Sequence, residues 1–188
     1  MSSISALILG AFAVLWWLAG GRVAGFAAPV LLLVPAAIMI LICAVALRTW
    51  GANDAELLGR GQNPGRVVGI ASAIEGAAIL AAVLVMVKFH RQDLSAPVIA
   101  ILIGLHFVPI ARGLHAKIYY LPFGVLITLG ALGFALPDHR QRASVVYVGT
   151  ACALWLTAAA VLRKSVRFKA GGAPAARTST SSARSSGA

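Results

Sequence analysis

The chain contains six runs of mostly apolar residues, each long enough to cross the hydrocarbon core of a membrane as a helix. A helix rises about 1.5 Å per residue, so about 20 apolar residues span the roughly 30 Å of hydrocarbon. Hydrophobic residues make up 60% of the chain and charged residues 11%, which excludes an ordinary soluble domain. The sequence therefore predicts an all-α, polytopic transmembrane helical bundle with short loops, whose six spans cover residues 4–19, 26–47, 67–89, 94–111, 118–136 and 144–162.

The first run is short enough to be the apolar core of a secretory signal peptide. A signal peptide begins with basic residues, yet residues 1–5 include no Lys or Arg. The segment LAGG at residues 18–21 is also a poor cleavage site. We therefore expect the first span to be retained, and a cleaved leader that leaves five spans is the alternative.

The basic residues predict the orientation of the spans, because Lys and Arg near span ends stay on the cytoplasmic side during insertion. If both termini are cytoplasmic, eleven of the 16 basic residues fall on inner segments and five on outer ones. The sequence thus predicts a multi-pass protein of the cell (inner) membrane with cytoplasmic N and C termini. The five outer residues are Arg22, Lys88, Arg91, Arg140 and Arg142.

We interpret the formal net charge of +11 first as a signal of membrane topology. No basic groove interleaved with aromatic residues accompanies the charge, so no nucleic-acid partner is expected. Residues 170–188 are dominated by Ala, Gly, Ser and Thr and are expected to form a disordered tail. The basic residues before the tail are interpreted as a stop-transfer anchor, and anionic lipid binding is the alternative. These residues are Arg163, Lys164, Arg167 and Lys169.

Glu75 is the only carboxylate within a predicted span, and such a residue normally has a partner inside the bundle. The third and fourth spans form a hairpin around residues 88–93, whose midpoint lies between His90 and Arg91. Glu75 lies 15.5 residues before this midpoint and His106 lies 15.5 residues after it. The two residues should therefore lie at the same depth, although the rotation of each helix about its axis is not fixed by this argument.

Pro109 follows His106 by three residues and should kink the fourth span, because proline cannot bond to the carbonyl of Leu105. A freed carbonyl at membrane depth requires a protein or water partner. Small residues near Glu75, including Ala73 and Gly76, should allow close helix approach. Together these features predict a polar binding pocket formed by Ser72, Glu75, His106 and Arg112.

Aromatic residues near the span ends are interpreted as anchors at the membrane interface. We expect Tyr119 and Tyr120 to act in this way at the inner side, and Trp16 and Trp17 at the outer side. The two cysteines, Cys43 and Cys152, lie within predicted spans and are interpreted as small buried apolar residues. No metal site and no cofactor are expected.

The segment GLHFVPIARGLHAKIYYLPFG, residues 104–124, resembles one in a family of small uncharacterised bacterial multi-pass membrane proteins. In that family a GLHFxPxA core precedes a short basic turn and tyrosines, and a span with a single Glu, here IASAIEGAAI, comes before it. The similarity covers residues 66–124, less than a third of the chain. The resemblance implies a six-helix bacterial membrane protein and no particular activity.

Three functions remain open from the sequence. In the first, Glu75 and His106 form a site for proton-linked transport, sensing, or small-molecule or lipid binding, since imidazole titrates near neutral pH. In the second, the pair only holds two helices together in an accessory or structural subunit, which would bind a membrane-complex partner or a second copy of itself. The third, an intramembrane enzyme, is less favoured because no recognised catalytic motif is present.

Overall fold

The computed structural model describes residues 3–49 and 64–171, and within these ranges it contains helices and no strand. Six helices are long and apolar enough to cross a membrane, which confirms the predicted six-span helical bundle. They are α1 (Ser3–Ala24), α2 (Ala28–Thr49), α3 (Pro64–Lys88), α4 (Ser95–Gly113), α5 (Tyr120–Ala135) and α6 (His139–Gly171). Short 3-10 turns, Gln92–Leu94 and Lys117–Tyr119, precede α4 and α5.

The last helix begins earlier and ends later than the sequence predicts. Asp138 caps its first turn, because the Asp138 carboxylate accepts a hydrogen bond of 2.8 Å from the Gln141 backbone amide. The polar residues that follow Asp138 therefore belong to the helix instead of a loop. Of the predicted tail, residues 170 and 171 close this helix, and residues 172–188 lie outside the described residues.

The most extensive helix pair is α1 with α6. Small residues make the close approach possible: Ala6 and Ala13 on α1 and Ala158 on α6 are fully buried. At Gly20 an added Cβ would come within 2.8 Å of the Val148 backbone nitrogen. On α1, Ala6, Ala13 and Gly20 are seven residues apart, which is close to two helical turns. A single face of α1 therefore lies against α6.

A second compact pair joins α4 to α5. At Gly104 an added Cβ would lie 3.2 Å from Leu126 Cβ, and at Gly130 it would lie 2.9 Å from the Pro97 carbonyl oxygen. Leu126 is fully buried. Glycine thus marks places where α4 and α5 come into close contact.

The helices α2 and α3 lie at the edge of the bundle. Only 11% of the apolar stretch of α3 is buried, compared with 56% for α6. Apart from the adjoining 3-10 turn, α3 makes its substantial contacts with α4 alone. Within the described residues, α3 therefore joins the bundle mainly through α4.

Three helix ends share one backbone motif, in which a residue with positive φ ends the helix. This residue is Gly25 (φ 76°) after α1, His90 (φ 53°) after α3 and His115 (φ 49°) after α4. In each case the next amide bonds back to a carbonyl five residues earlier. These bonds are Phe26 to Gly21 (2.8 Å), Arg91 to Met86 (2.8 Å) and Ala116 to Ala111 (2.9 Å).

Two of the aromatic residues expected at the membrane interface, Trp17 and Tyr119, are buried inside the bundle, so the prediction is wrong for these two. Trp17 is 9% exposed and its ring lies 5.5 Å from that of Trp155 on α6. Tyr119 is 5% exposed and stacks on Phe107 at 6.0 Å. Tyr120 is exposed, as expected of an anchor. Aromatic rings provide large contact areas between helices, which explains their use in the core.

Candidate functional site

The structure brings the side chains of Glu75 and His106 together where α3 packs on α4. The Nδ1 atom of His106 lies 3.4 Å from the Oε2 atom of Glu75. The imidazole side chain is 10% exposed and the carboxylate side chain 19% exposed. The short turn between α3 and α4 makes the helices antiparallel, and this arrangement sets the two residues level with each other.

The contact is close, but it is not a hydrogen bond. A charge-assisted N–H···O bond is usually about 2.7–2.9 Å long. His106 Nδ1 is buried and has no hydrogen-bond partner among the described residues, so the 3.4 Å separation does not satisfy it. The imidazole also approaches the backbone carbonyl of Ala71, one helical turn before Glu75. The ring is therefore held between a carbonyl and a carboxylate on the same face of α3.

Two residues of the predicted pocket are not part of this contact. Ser72 is exposed on α3, and Arg112 is exposed in the last turn of α4. The reason is helix periodicity: successive residues turn by about 100°, so Ala71 and Glu75 share a face that Ser72 does not. Arg112 follows His106 by six residues and points away from Glu75 for the same reason. The prediction of a pocket containing all four side chains is thus wrong for these two.

The small residues near Glu75 do not pack against α4 either. Ala73 and Gly76 are exposed, and an added Cβ at Gly76 would meet no atom within 4 Å. The expectation that they allow α3 and α4 to approach is therefore wrong. They form instead part of a face of α3 that no other described helix covers.

Pro109 lies within α4 on its exposed side, and the helix continues beyond it to Gly113. The proline therefore does not end the helix. The predicted kink remains a prediction. The ring of Phe107 lies edge-on to that of His106, with ring centres 5.6 Å apart.

The Glu75–His106 pair offers proton-exchanging groups and not a metal centre. Within residues 3–49 and 64–171, no three His, Cys, Asp or Glu side chains are placed to hold a metal ion. Cys152 is exposed and Cys43 is half-buried, so the expectation of burial is wrong for Cys152. Such a pair can accept, hold and release protons without a further group.

Sequence reasoning missed a polar contact at the opposite end of α4. Arg142 of α6 is buried, and its Nη1 donates to the Asp93 carboxylate at 2.9 Å. Its Nη2 donates to the Leu136 carbonyl at 2.8 Å, so one guanidinium joins two interhelical turns. We call this contact the Arg142 clamp. The sequence shows only that Asp93 and Arg142 each lie in a short connection between predicted spans.

No protein-family model, curated protein or solved structure matches the chain. The resemblance of residues 104–124 to a bacterial membrane-protein family therefore remains a hypothesis.

Proposed function

We propose that the chain is a proton-linked membrane transport protein in which Glu75 and His106 take up and release the transported proton. One observation carries this proposal: a buried imidazole nitrogen lies 3.4 Å from the carboxylate of Glu75 without forming a hydrogen bond. A pair kept only for stability would be expected to satisfy its buried donors. An unsatisfied ionisable pair within a membrane span is a typical functional site.

The position of α3 supports this proposal. A transported proton must reach its site from one side of the membrane and leave it towards the other, which requires a change in the surroundings of the pair. Among the described residues, α3 makes its substantial helix contacts with α4 alone, so a small shift of α3 would change the exposure of Glu75. The Glu75 side chain is 19% exposed and is therefore not sealed within the contact between α3 and α4.

The alternative function, an accessory subunit, is favoured by another observation. Most glycines in the other described spans lie against neighbouring helices, whereas at Gly69 and Gly76 of α3, as at Gly124 of α5, an added Cβ would meet nothing. Small residues on membrane helices commonly mark helix–helix contacts. In this alternative, a partner subunit or a second copy covers α3, and the Glu75–His106 pair only orients that helix.

The proposed setting is a bacterial cell membrane, with both termini in the cytoplasm. The distribution of charge supports this orientation. Eleven of the 16 Lys and Arg residues fall on the segments that this orientation places inside. We further propose that the basic end of α6 contacts anionic lipid. Of the residues involved, Arg163 and Lys164 are exposed, and the side chains of Arg167 and Lys169 lie outside the described residues.

Proton flux into vesicles tests the proposed function. The full chain is reconstituted with a pH-sensitive dye inside the vesicles, and a potassium gradient with valinomycin drives proton entry. We expect flux in the native protein and its loss in both Glu75→Gln and His106→Gln. Ser72→Ala, on the exposed face of the same helix, is the matched control and should retain flux. Equal flux in all variants would contradict the proposal and favour the accessory subunit.

A further inference from the structure

Two exposed arginines flank the place where α3 and α4 meet, at the end of the bundle opposite the Arg142 clamp. Val67 of α3 packs against Gly113 of α4, since an added Cβ at Gly113 would collide with the Val67 side chain. Arg66 and Arg112 are the chain neighbours of these two residues, and both are exposed. The helix contact therefore brings two guanidinium-bearing positions to the same edge of the bundle.

No carboxylate among the described residues lies near these arginines. Asp93 pairs with Arg142 and Arg91 at the other end of the bundle, at 2.9 and 3.8 Å, and Asp138 caps α6 there. Glu75 lies nine residues along α3 from Arg66, about 13 Å deeper at 1.5 Å per residue. The two ends thus differ: Arg91 and Arg142 at the Asp93 end have a carboxylate partner, whereas Arg66 and Arg112 have none within the described residues.

We propose that Arg66 and Arg112 together bind the phosphate group of an anionic phospholipid. Guanidinium groups form paired hydrogen bonds with phosphate oxygens, and an anion between two arginines relieves their mutual repulsion. The adjoining face of α3 suits the lipid chain, because Ile70, Ala73 and Ala77 on it are exposed and apolar. This site is separate from the basic end of α6 and does not depend on the proposed proton transport.

Lipid-dependent thermal stability of the detergent-purified full chain tests the proposal. The probes are short-chain dioctanoyl phosphatidylglycerol, dioctanoyl phosphatidylcholine and inorganic phosphate, each titrated while the unfolding midpoint is recorded. One cation contributes about 1 kcal/mol to binding an anionic lipid surface, which is about fivefold in affinity. We expect Arg66→Gln and Arg112→Gln each to weaken phosphatidylglycerol binding about fivefold and the double variant about 30-fold.

The matched control is Arg22→Gln with Arg140→Gln, which removes the same charge from exposed positions at the opposite end. This control should bind phosphatidylglycerol as the native protein does, and phosphatidylcholine should have no effect on any variant. Equal weakening in the two double variants would overturn the proposal in favour of nonspecific charge attraction. Stabilisation by inorganic phosphate that equals the lipid effect and competes with it would overturn the lipid assignment and identify a free-anion site. Circular dichroism confirms that all variants retain their helix content.

Discussion

The imidazole Nδ1 of His106 lies 3.4 Å from the Glu75 carboxylate and yet has no hydrogen-bond partner among the described residues. The two residues therefore affect each other through charge and not through a directional bond. Charge interactions depend on protonation and on small movements of α3, whereas a well-formed hydrogen bond would fix both residues in place. This geometry determines what substitution of either residue should do.

We expect Glu75→Gln and His106→Gln each to reduce the free energy of unfolding in detergent only modestly. Hydrogen bonds between membrane helices contribute about 0.6 kcal/mol on average, and none joins the two side chains here. The double variant should lose less than the sum of the single losses, because neither group remains buried beside a removed partner. Unfolding by a denaturing detergent measures all four proteins. Strictly additive losses of several kcal/mol would contradict this account of the pair.

Loss of the Arg142 clamp should destabilise the protein more strongly. The Arg142 side chain is 10% exposed and that of Asp93 is 41% exposed, so the pair is only partly shielded from water. We expect Arg142→Met to cost about 2 kcal/mol of unfolding free energy, below the 3–5 kcal/mol of a fully buried pair. Asp93→Asn should cost about 1 kcal/mol, since Arg142 keeps its backbone acceptors.

Arg140→Gln is the control for the clamp, because Arg140 lies two residues away on the same helix and is exposed. Its effect on the unfolding free energy should stay within about 0.5 kcal/mol. If Arg140→Gln and Arg142→Met cost the same, the clamp does not stabilise the two turns.

Glycine at the helix ends formed by His90 and His115 should stabilise the protein. Both residues have φ near 50°, a conformation that costs a side-chain-bearing residue about 1 kcal/mol and glycine almost nothing. We expect His90→Gly and His115→Gly each to raise the free energy of unfolding by about 0.5–1 kcal/mol. His139→Gly, within the first turn of α6, should instead lower it. Thermal unfolding of the three variants checks the opposite signs.

Substitution by alanine should affect the free energy of unfolding differently at Gly20 and Gly76, because their surroundings differ. At Gly20 an added Cβ would come within 2.8 Å of Tyr147 Cβ, so Gly20→Ala should cost about 1–3 kcal/mol. At Gly76 it would meet nothing, so Gly76→Ala should be neutral or stabilise by up to about 1 kcal/mol. A large loss for Gly76→Ala in the assembled protein, measured together with its mass by light scattering, would indicate that a partner covers α3.

The sequence by itself determined the six membrane-spanning helices of the described ranges and the shared level of Glu75 and His106. Span length and hydropathy are local properties, because each membrane helix satisfies its own backbone hydrogen bonds. Depth followed from equally local geometry, since a short turn holds two antiparallel helices in register. The sequence placed the start of the last span at residue 144, whereas α6 begins at His139. The difference arises because Asp138 caps the helix and its polar first turn is helical.

Only the tertiary structure decided which face of each helix is turned inward. In a soluble protein, apolar residues identify the buried face, but lipid tails are as apolar as leucine and remove that signal. Trp17 could therefore not be assigned to the core, nor Ser72 and Arg112 to the surface, from the sequence. The contact between Asp93 and Arg142 joins residues 49 positions apart and depends on how two hairpins pack, which no local pattern encodes.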